Sequence, residues 1–283
     1  MRPKTLWAGA TPVLIASAMA ADAGAYHTLP ALAALIGALL LQIGANFAND
    51  YSDFFKGADT EERIGPVRAT QAGLISPQVM KGAIIVTFAA VLLPGAYIVY
   101  RGGPVFLLIG IAGIVSGLLY TGGPRPFGYM GLGELFVLAF FGPIALGGTY
   151  YLQALELPRE IAIMGLAPGL FSVAILTVNN LRDIDGDRKA GKRTLAVRFG
   201  RTFARVEYTV ALLAATWGVP GYVCWKVGDH NTALIGGAAL LVALPTLRVV
   251  LTKTDGESLN RALANTGKHL LLFSILFSIG WLW

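Results

Sequence analysis

The chain has 283 residues, 55% of them hydrophobic and only 13% charged, with a mean hydropathy of +0.64. A soluble domain carries about 25% charged residues, so this composition excludes an ordinary water-soluble globule and points to the bilayer. The formal charge of +6 is then read as basic cytoplasmic loops and not as a nucleic-acid surface, and a lone Cys224 leaves no disulfide framework and no thiolate metal site.

Runs near the ~20 residues needed to cross a bilayer recur about nine times. They fall at 6–24, 31–53, 78–100, 104–120, 131–152, 161–182, 203–225, 231–250 and 267–283. The expected fold is an all-α integral membrane protein of about nine transmembrane helices, forming a single domain over residues 1–283. The start, MRPKTLWAGATPVLIASAMAADAGA, also has the basic, apolar and small-residue sections of a signal peptide. A retained first helix is preferred, because its basic start fits the loop charges. With the N-terminus inside, all of the 22 lysines and arginines except Arg101, Arg159 and Lys226 fall at cytoplasmic ends. That asymmetry predicts a multi-pass protein of the cell membrane with a cytoplasmic N-terminus.

The second and sixth runs end unusually. The first ends in GANFANDYSDFFKGADTEE and the other in NNLRDIDGDRKAGKR, and together they hold Asp50, Asp53, Asp59, Glu61, Glu62, Asp183, Asp185 and Asp187, half of the sixteen acidic residues. Asn46, Asn49 or Asp50, and Asp53 recur at the spacing of one helix face, as do Asn179 or Asn180, Asp183 and Asp187. Carboxylates so spaced repel one another, and they stand at helix C-terminal ends, where the helix dipole disfavours negative charge. A solvated charge run is the ordinary explanation for either segment alone. Two such columns on one side of the membrane point instead to a compensating cation. Oxygen ligands without a Cys or His cluster favour a hard ion such as Mg²⁺ or Ca²⁺, and Mg²⁺ usually completes its shell with water and phosphates. Lys56, Arg63 and Arg68 follow the first column, and Arg182, Arg188, Lys189, Lys192 and Arg193 flank the second. A diphosphate bridged by metal between the two runs is therefore expected at the cytoplasmic boundary. Over it would lie the segment LLYTGGPRPFGYMGLGE, which offers Tyr120, Arg125 and Tyr129, although a plain turn explains YTGGP equally well.

These residues resemble the UbiA-type intramembrane aromatic prenyltransferases, whose N-D-x-x-D and D-x-x-x-D motifs match Asn49, Asp50 and Asp53, then Asp183 and Asp187. RPKTL, GKRTLAVRFG and LNRALANTGK extend the similarity over nearly the whole chain. Many relatives continue the first motif to a third acid at the position of Gly57; here the acid comes later, as Asp59. With GPVR and YTGGPRPFGYMGLGE, this variant resembles the branch acting on 1,4-dihydroxy-2-naphthoate in menaquinone synthesis. The resemblance implies a polyprenyl diphosphate donor, decarboxylative transfer to the naphthoate ring, and Mg²⁺ held by Asp50, Asp53, Asp183 and Asp187. Asn46, Asn49, Lys56, Arg63, Arg68, Tyr120, Arg125, Asn180, Lys189, Lys192 and Arg193 would bind substrate, with Arg63, Arg68 or Arg125 meeting the naphthoate carboxylate. Many relatives also carry a lysine shortly after the loop tyrosine, where the nearest base here is Arg125. Other acceptors, such as 4-hydroxybenzoate or homogentisate, stay open. A CDP-alcohol phosphatidyltransferase lacks its one-helix aspartate motif here, and a secondary transporter would place its ionisable groups near the midplane.

Overall fold

The computed structural model describes residues 6–56 and 69–283, which form helices and turns with no strand among them. Asp59, Glu61, Glu62, Arg63 and Arg68 lie outside the described residues. In chain order the long helices are α1 (Leu6–Asp22), α2 (Thr28–Phe55), α3 (Pro77–Gly102), α4 (Val105–Leu119), α5 (Gly133–Ala154), α6 (Arg159–Arg182), α7 (Leu195–Val227), α8 (Asn231–Thr252) and α9 (Gly256–Trp281). Seven of them are long and apolar enough to cross a bilayer, while α1 and α4 are apolar but shorter, at 17 and 15 residues.

Local chemistry sets several boundaries. Ser76 caps α3 by accepting from the Val79 N–H, and Pro77 sits in the first turn, where its missing N–H leaves nothing unpaired. Helix α9 starts at Gly256, well before the expected 267, whereas α7 is interrupted at Gly200 (φ +85°, ψ 178°), so a short helical segment from Leu195 precedes a continuous helix that begins close to the expected 203. The segment before the break carries Arg198, and the start of α9 carries Asn260 and Arg261, so a hydropathy criterion leaves both out. Thr194 caps the short segment before Gly200 and Asp255 caps α9, accepting from Val197 N and Ser258 N.

Helix α6 is the most buried of the spans, with Met164, Phe171, Val178 and Leu181 sealed from solvent. Around it pack α1, α5, α7 and α9, and Phe171 meets Phe273 of α9 at a ring separation of 5.2 Å. On the opposite side α4 has no buried residue, so it forms a wall one helix thick. Helix α5 is broken at Gly142, whose φ of −111° and ψ of −115° are not helical, inside a widened turn over Phe140–Ile144 that contains Pro143. The break brings the α5 backbone against Gly165 and Gly169 of α6. These helices set the height at which the end of α6 emerges.

Candidate active site

At one end of α2, Asn46, Asn49 and Asp53 line a chamber of about 1120 Å³. Asp50 is buried on the same side of the helix, at 7% exposure, but is not among the lining residues. Facing them, α6 delivers Asn179, Asn180 and Asp183. The chain then winds on through a short helix, Ile184–Lys189, where the Asp187 N–H donates to the Asp183 carbonyl at 2.7 Å. This extra turn brings Asp187 round to the chamber at 7% exposure.

The segment between α4 and α5 ties the two columns together. Lys56 Nζ donates to the carbonyls of Thr121 at 2.7 Å and Gly123 at 3.0 Å, and Thr121 Oγ1 donates to Asn49 Oδ1 at 2.9 Å. Tyr129 OH donates to Asp53 Oδ1 at 3.4 Å, while the Arg193 N–H donates to the Tyr129 carbonyl at 2.8 Å. The ring of Tyr129 therefore stands between the columns, with Lys56 Nζ 4.9 Å and Lys192 Nζ 5.0 Å from its centroid. Gly131 makes the turn possible: its φ is +73°, and a Cβ there would lie 2.9 Å from the Arg193 carbonyl oxygen.

The structure gathers some of the expected substrate-binding residues and leaves others outside. Tyr120, Lys189 and Lys192 line the chamber. Arg125 is exposed and absent from the lining, and the Arg193 side chain is exposed while its backbone holds the loop. The base that reaches the loop after Tyr120 is Lys56, arriving from α2. Sequence reasoning gave no role to Thr121, Glu134 or Asn260, and it named Arg182 only as a flanking charge. Arg182, with its side chain 1% exposed, grips both oxygens of Asp183 at 2.7 and 2.6 Å, and also donates to Asn179 Oδ1 at 2.9 Å and Asn260 Oδ1 at 3.1 Å. Asn260 belongs to LNRALANTGK, a segment whose polar residues in an otherwise apolar tail were the available signal.

Electrostatically the two columns compete for charge. Burial pushes the Asp187 carboxyl up, Lys192 at 3.2 Å pulls it down, and the neighbouring Asp183 and Asp53 raise it further. Lys56 is pushed down, chiefly by burial and also by Lys192, with Asp53 opposing. Among the described residues no three carboxylate, His or Cys side chains stand close enough to form a metal cage by themselves. The donor set is nevertheless all oxygen, and Asp187 feels Asp53 across the chamber. Such a set fits a hard cation that takes its remaining ligands from a phosphate. Below this end the lining becomes apolar, through Phe136, Phe140, Ile175 and Leu176 to Val13, Ala34, Leu107 and Leu152.

The chain is similar to known proteins in sequence and in fold. The model of the UbiA prenyltransferase family matches residues 10–276. The 1,4-dihydroxy-2-naphthoate octaprenyltransferase of Haemophilus influenzae is 39% identical over 292 residues, covering 99% of this chain and 93% of that protein. Among solved structures, the apo UbiA homolog of Aeropyrum pernix aligns with a TM-score of 0.71 at 16% identity, over 96% of each chain. The UbiA homolog of Archaeoglobus fulgidus bound to DMAPP and Mg²⁺ aligns with a TM-score of 0.64 at 18% identity, over 99% of this chain and 96% of that one.

Proposed function

The chain belongs to the UbiA prenyltransferase family, and from that premise we propose that it transfers a polyprenyl chain from an allylic diphosphate to 1,4-dihydroxy-2-naphthoate with decarboxylation. The observation that carries this reading is one continuous chamber, with facing carboxylates and the lysines Lys189 and Lys192 at one end and an apolar length beyond. The likeness to the Haemophilus influenzae enzyme supplies the acceptor.

Asp53 and Asp187, with Asp50 and Asp183 beside them, are the residues that would hold Mg²⁺, the ion named with the Archaeoglobus fulgidus homolog. Mg²⁺, when bound, supplies Lewis-acid neutralisation of the diphosphate charge. Lys192 lines the chamber 3.2 Å from Asp187, so its ammonium group would receive the charge that builds as the allylic C–O bond breaks, while Lys56, held on the Thr121 and Gly123 carbonyls, adds positive charge from the loop beside Tyr129. The electron pair leaves with the diphosphate. The electron-rich ring then forms the new C–C bond, and the ring–carboxylate bond breaks as carbon dioxide departs, its electrons restoring aromaticity. The product is a prenylated naphthoquinol, which on oxidation is demethylmenaquinone. Phe136, Phe140, Ile175 and Leu176 keep water away while the allylic cation exists. The tail occupies the apolar length, beside the thin wall of α4. The active end is assigned to the cytoplasmic face because the lysines and arginines concentrate there.

The acceptor is tested by incubating membranes containing the protein with geranylgeranyl diphosphate, Mg²⁺ and a panel of aromatic acceptors. Product with 1,4-dihydroxy-2-naphthoate is expected; product with 4-hydroxybenzoate alone would overturn the assignment. The shifted groups also predict a bell-shaped pH profile of kcat/KM for the prenyl diphosphate. A raised Asp187 takes up its proton above the ordinary carboxylate range as pH falls, and a protonated carboxyl is lost as a ligand. A lowered Lys56 loses its proton earlier than an exposed lysine as pH rises. Lys56→Arg is expected to move the alkaline limb upward, because guanidinium stays charged. An unchanged alkaline limb in that variant would remove Lys56 from the site.

A further inference from the structure

Glu134 closes the segment YTGGPRPFGYMGLGE, and nothing in the mechanism above uses it. It lies in the first turn of α5, is 9% exposed and does not line the chamber. It does touch a residue that lines it: Asn180 Nδ2 donates to Glu134 Oε1 at 2.9 Å. A carboxylate oxygen accepting from Nδ2 settles which end of the amide faces backwards. The carbonyl end of Asn180 is thereby left for the chamber. Behind Glu134, within electrostatic reach, stands Glu207, which accepts from Thr177 Oγ1 at 3.1 Å. Two carboxylates at membrane depth are expensive where a leucine would pack, so their retention calls for a function.

The level of Asn180 says what that function is. It sits three residues before Asp183 on α6, about 4.5 Å further into the membrane. There the lining changes from carboxylates to Phe136, Phe140, Ile175 and Leu176. A neutral carbonyl oxygen beneath the charged end suits a neutral hydroxyl better than a diphosphate. We propose that Glu134 is a positioning residue, fixing the Asn180 carboxamide so that its Oδ1 accepts a hydrogen bond from a ring hydroxyl of the aromatic acceptor. The hydrogen bond holds the ring in register with the allylic carbon. This assignment rests on the reading of the chamber as a prenyl-transfer site.

The test is steady-state kinetics with 1,4-dihydroxynaphthoate varied separately from the prenyl diphosphate and Mg²⁺. Glu134→Leu removes the acceptor that locks the amide, and the KM for the naphthoate is expected to rise about tenfold, a lost hydrogen bond of ordinary strength. The KM for the diphosphate and the Mg²⁺ concentration for half-activation should stay within about twofold, a change too small to represent such a bond. Glu134→Gln keeps an oxygen for Asn180 Nδ2, so it should retain the wild-type KM. In an Asn180→Ala background, Glu134→Leu should add nothing further, since residues acting as a unit are not additive. Additive losses, an equal defect in Glu134→Gln, or a rise confined to Mg²⁺ or the diphosphate would overturn the proposal. Should Glu134→Leu fail to fold, the Asn180→Ala and Glu134→Gln variants still decide it through the naphthoate KM. A wild-type protein that prenylates no dihydroxynaphthoate would instead overturn the assigned function.

Discussion

Asp53→Asn and Asp187→Asn are each expected to lower turnover by about a hundredfold to a thousandfold, the range seen when one preorganised electrostatic group is removed from a reacting centre. The change is nearly isosteric and keeps an oxygen, so the loss isolates charge. Asp50→Asn and Asp183→Asn are expected to follow, because each column is proposed to act as one ligand set. Stability should move the other way for Asp187. Its carboxyl is pushed up, first by burial and then by Asp183 and Asp53 against the pull of Lys192, so its ionised form weakens the folded state at neutral pH. With the folded value above the unfolded one, the wild-type protein gains stability as pH falls through that window, and Asn gives the same relief at neutral pH. The metal-free Asp187→Asn variant is therefore expected to melt at the same temperature as wild type or higher, while adding Mg²⁺ with a prenyl diphosphate stabilises only the wild type. Retained turnover in either variant, with folded protein verified by melting, would remove that residue from the metal site.

The second large effect lies away from the chemistry. At the crossing of α5 and α6 a Cβ on Gly165 would stand 2.6 Å from Pro143 Cα and 2.7 Å from Pro143 N, and one on Gly169 would stand 2.6 Å from the Leu138 carbonyl oxygen. These obstacles are backbone atoms, which cannot swing aside as the tip of a side chain does. Gly165 has ordinary helical angles, φ −55° and ψ −26°, so space and not conformational freedom requires the glycine. Gly165→Ala is expected to destabilise by about 1–3 kcal/mol, the usual range for forcing extra methyls into a packed contact, and Gly165→Leu by more. The remedy open to the fold is to push the helices apart, which moves the α6 end carrying Asn179, Asn180 and Asp183. Lower melting temperature and lost turnover should therefore appear together in detergent-solubilised protein. Wild-type melting of the alanine variant would show that the crossing is looser than these distances require.

Much of this was legible in the sequence because two periodicities carry it. Length and hydropathy mark the spans, and the 3.6-residue repeat puts Asn46, Asn49 and Asp53 on one face of α2; Asn180, Asp183 and Asp187 do not share one helix as the spacing suggests, because α6 ends at Arg182 and the separate helix Ile184–Lys189 carries Asp187 to the chamber. What stayed hidden depends on neighbours that only folding supplies. Lys56 looks like a surface charge after a helix, yet its ammonium spans to the loop after α4, where a local reading turns to Arg125. Arg125 itself follows Pro124 and precedes Pro126 on an exposed turn, so its reach is spent in solvent. Arg182 reads as one charge in a basic cluster, whereas its planar fork is filled by Asp183, Asn179 and Asn260 of a helix remote in sequence. The break at Gly142 escapes notice for a related reason. A Gly-Pro pair in an apolar run signals a kink, but only the close approach of Gly165 and Gly169 gives that kink its purpose.

The most direct test of the central claim uses 1,4-dihydroxy-2-naphthoate labelled at its carboxyl carbon, supplied to the purified protein with a polyprenyl diphosphate and Mg²⁺. The account predicts one labelled carbon dioxide released for each prenylated naphthoquinol formed and each diphosphate freed, with all three lost together in the Asp53→Asn variant. Prenylated product that retains the label, or carbon dioxide released without prenyl transfer, would contradict it.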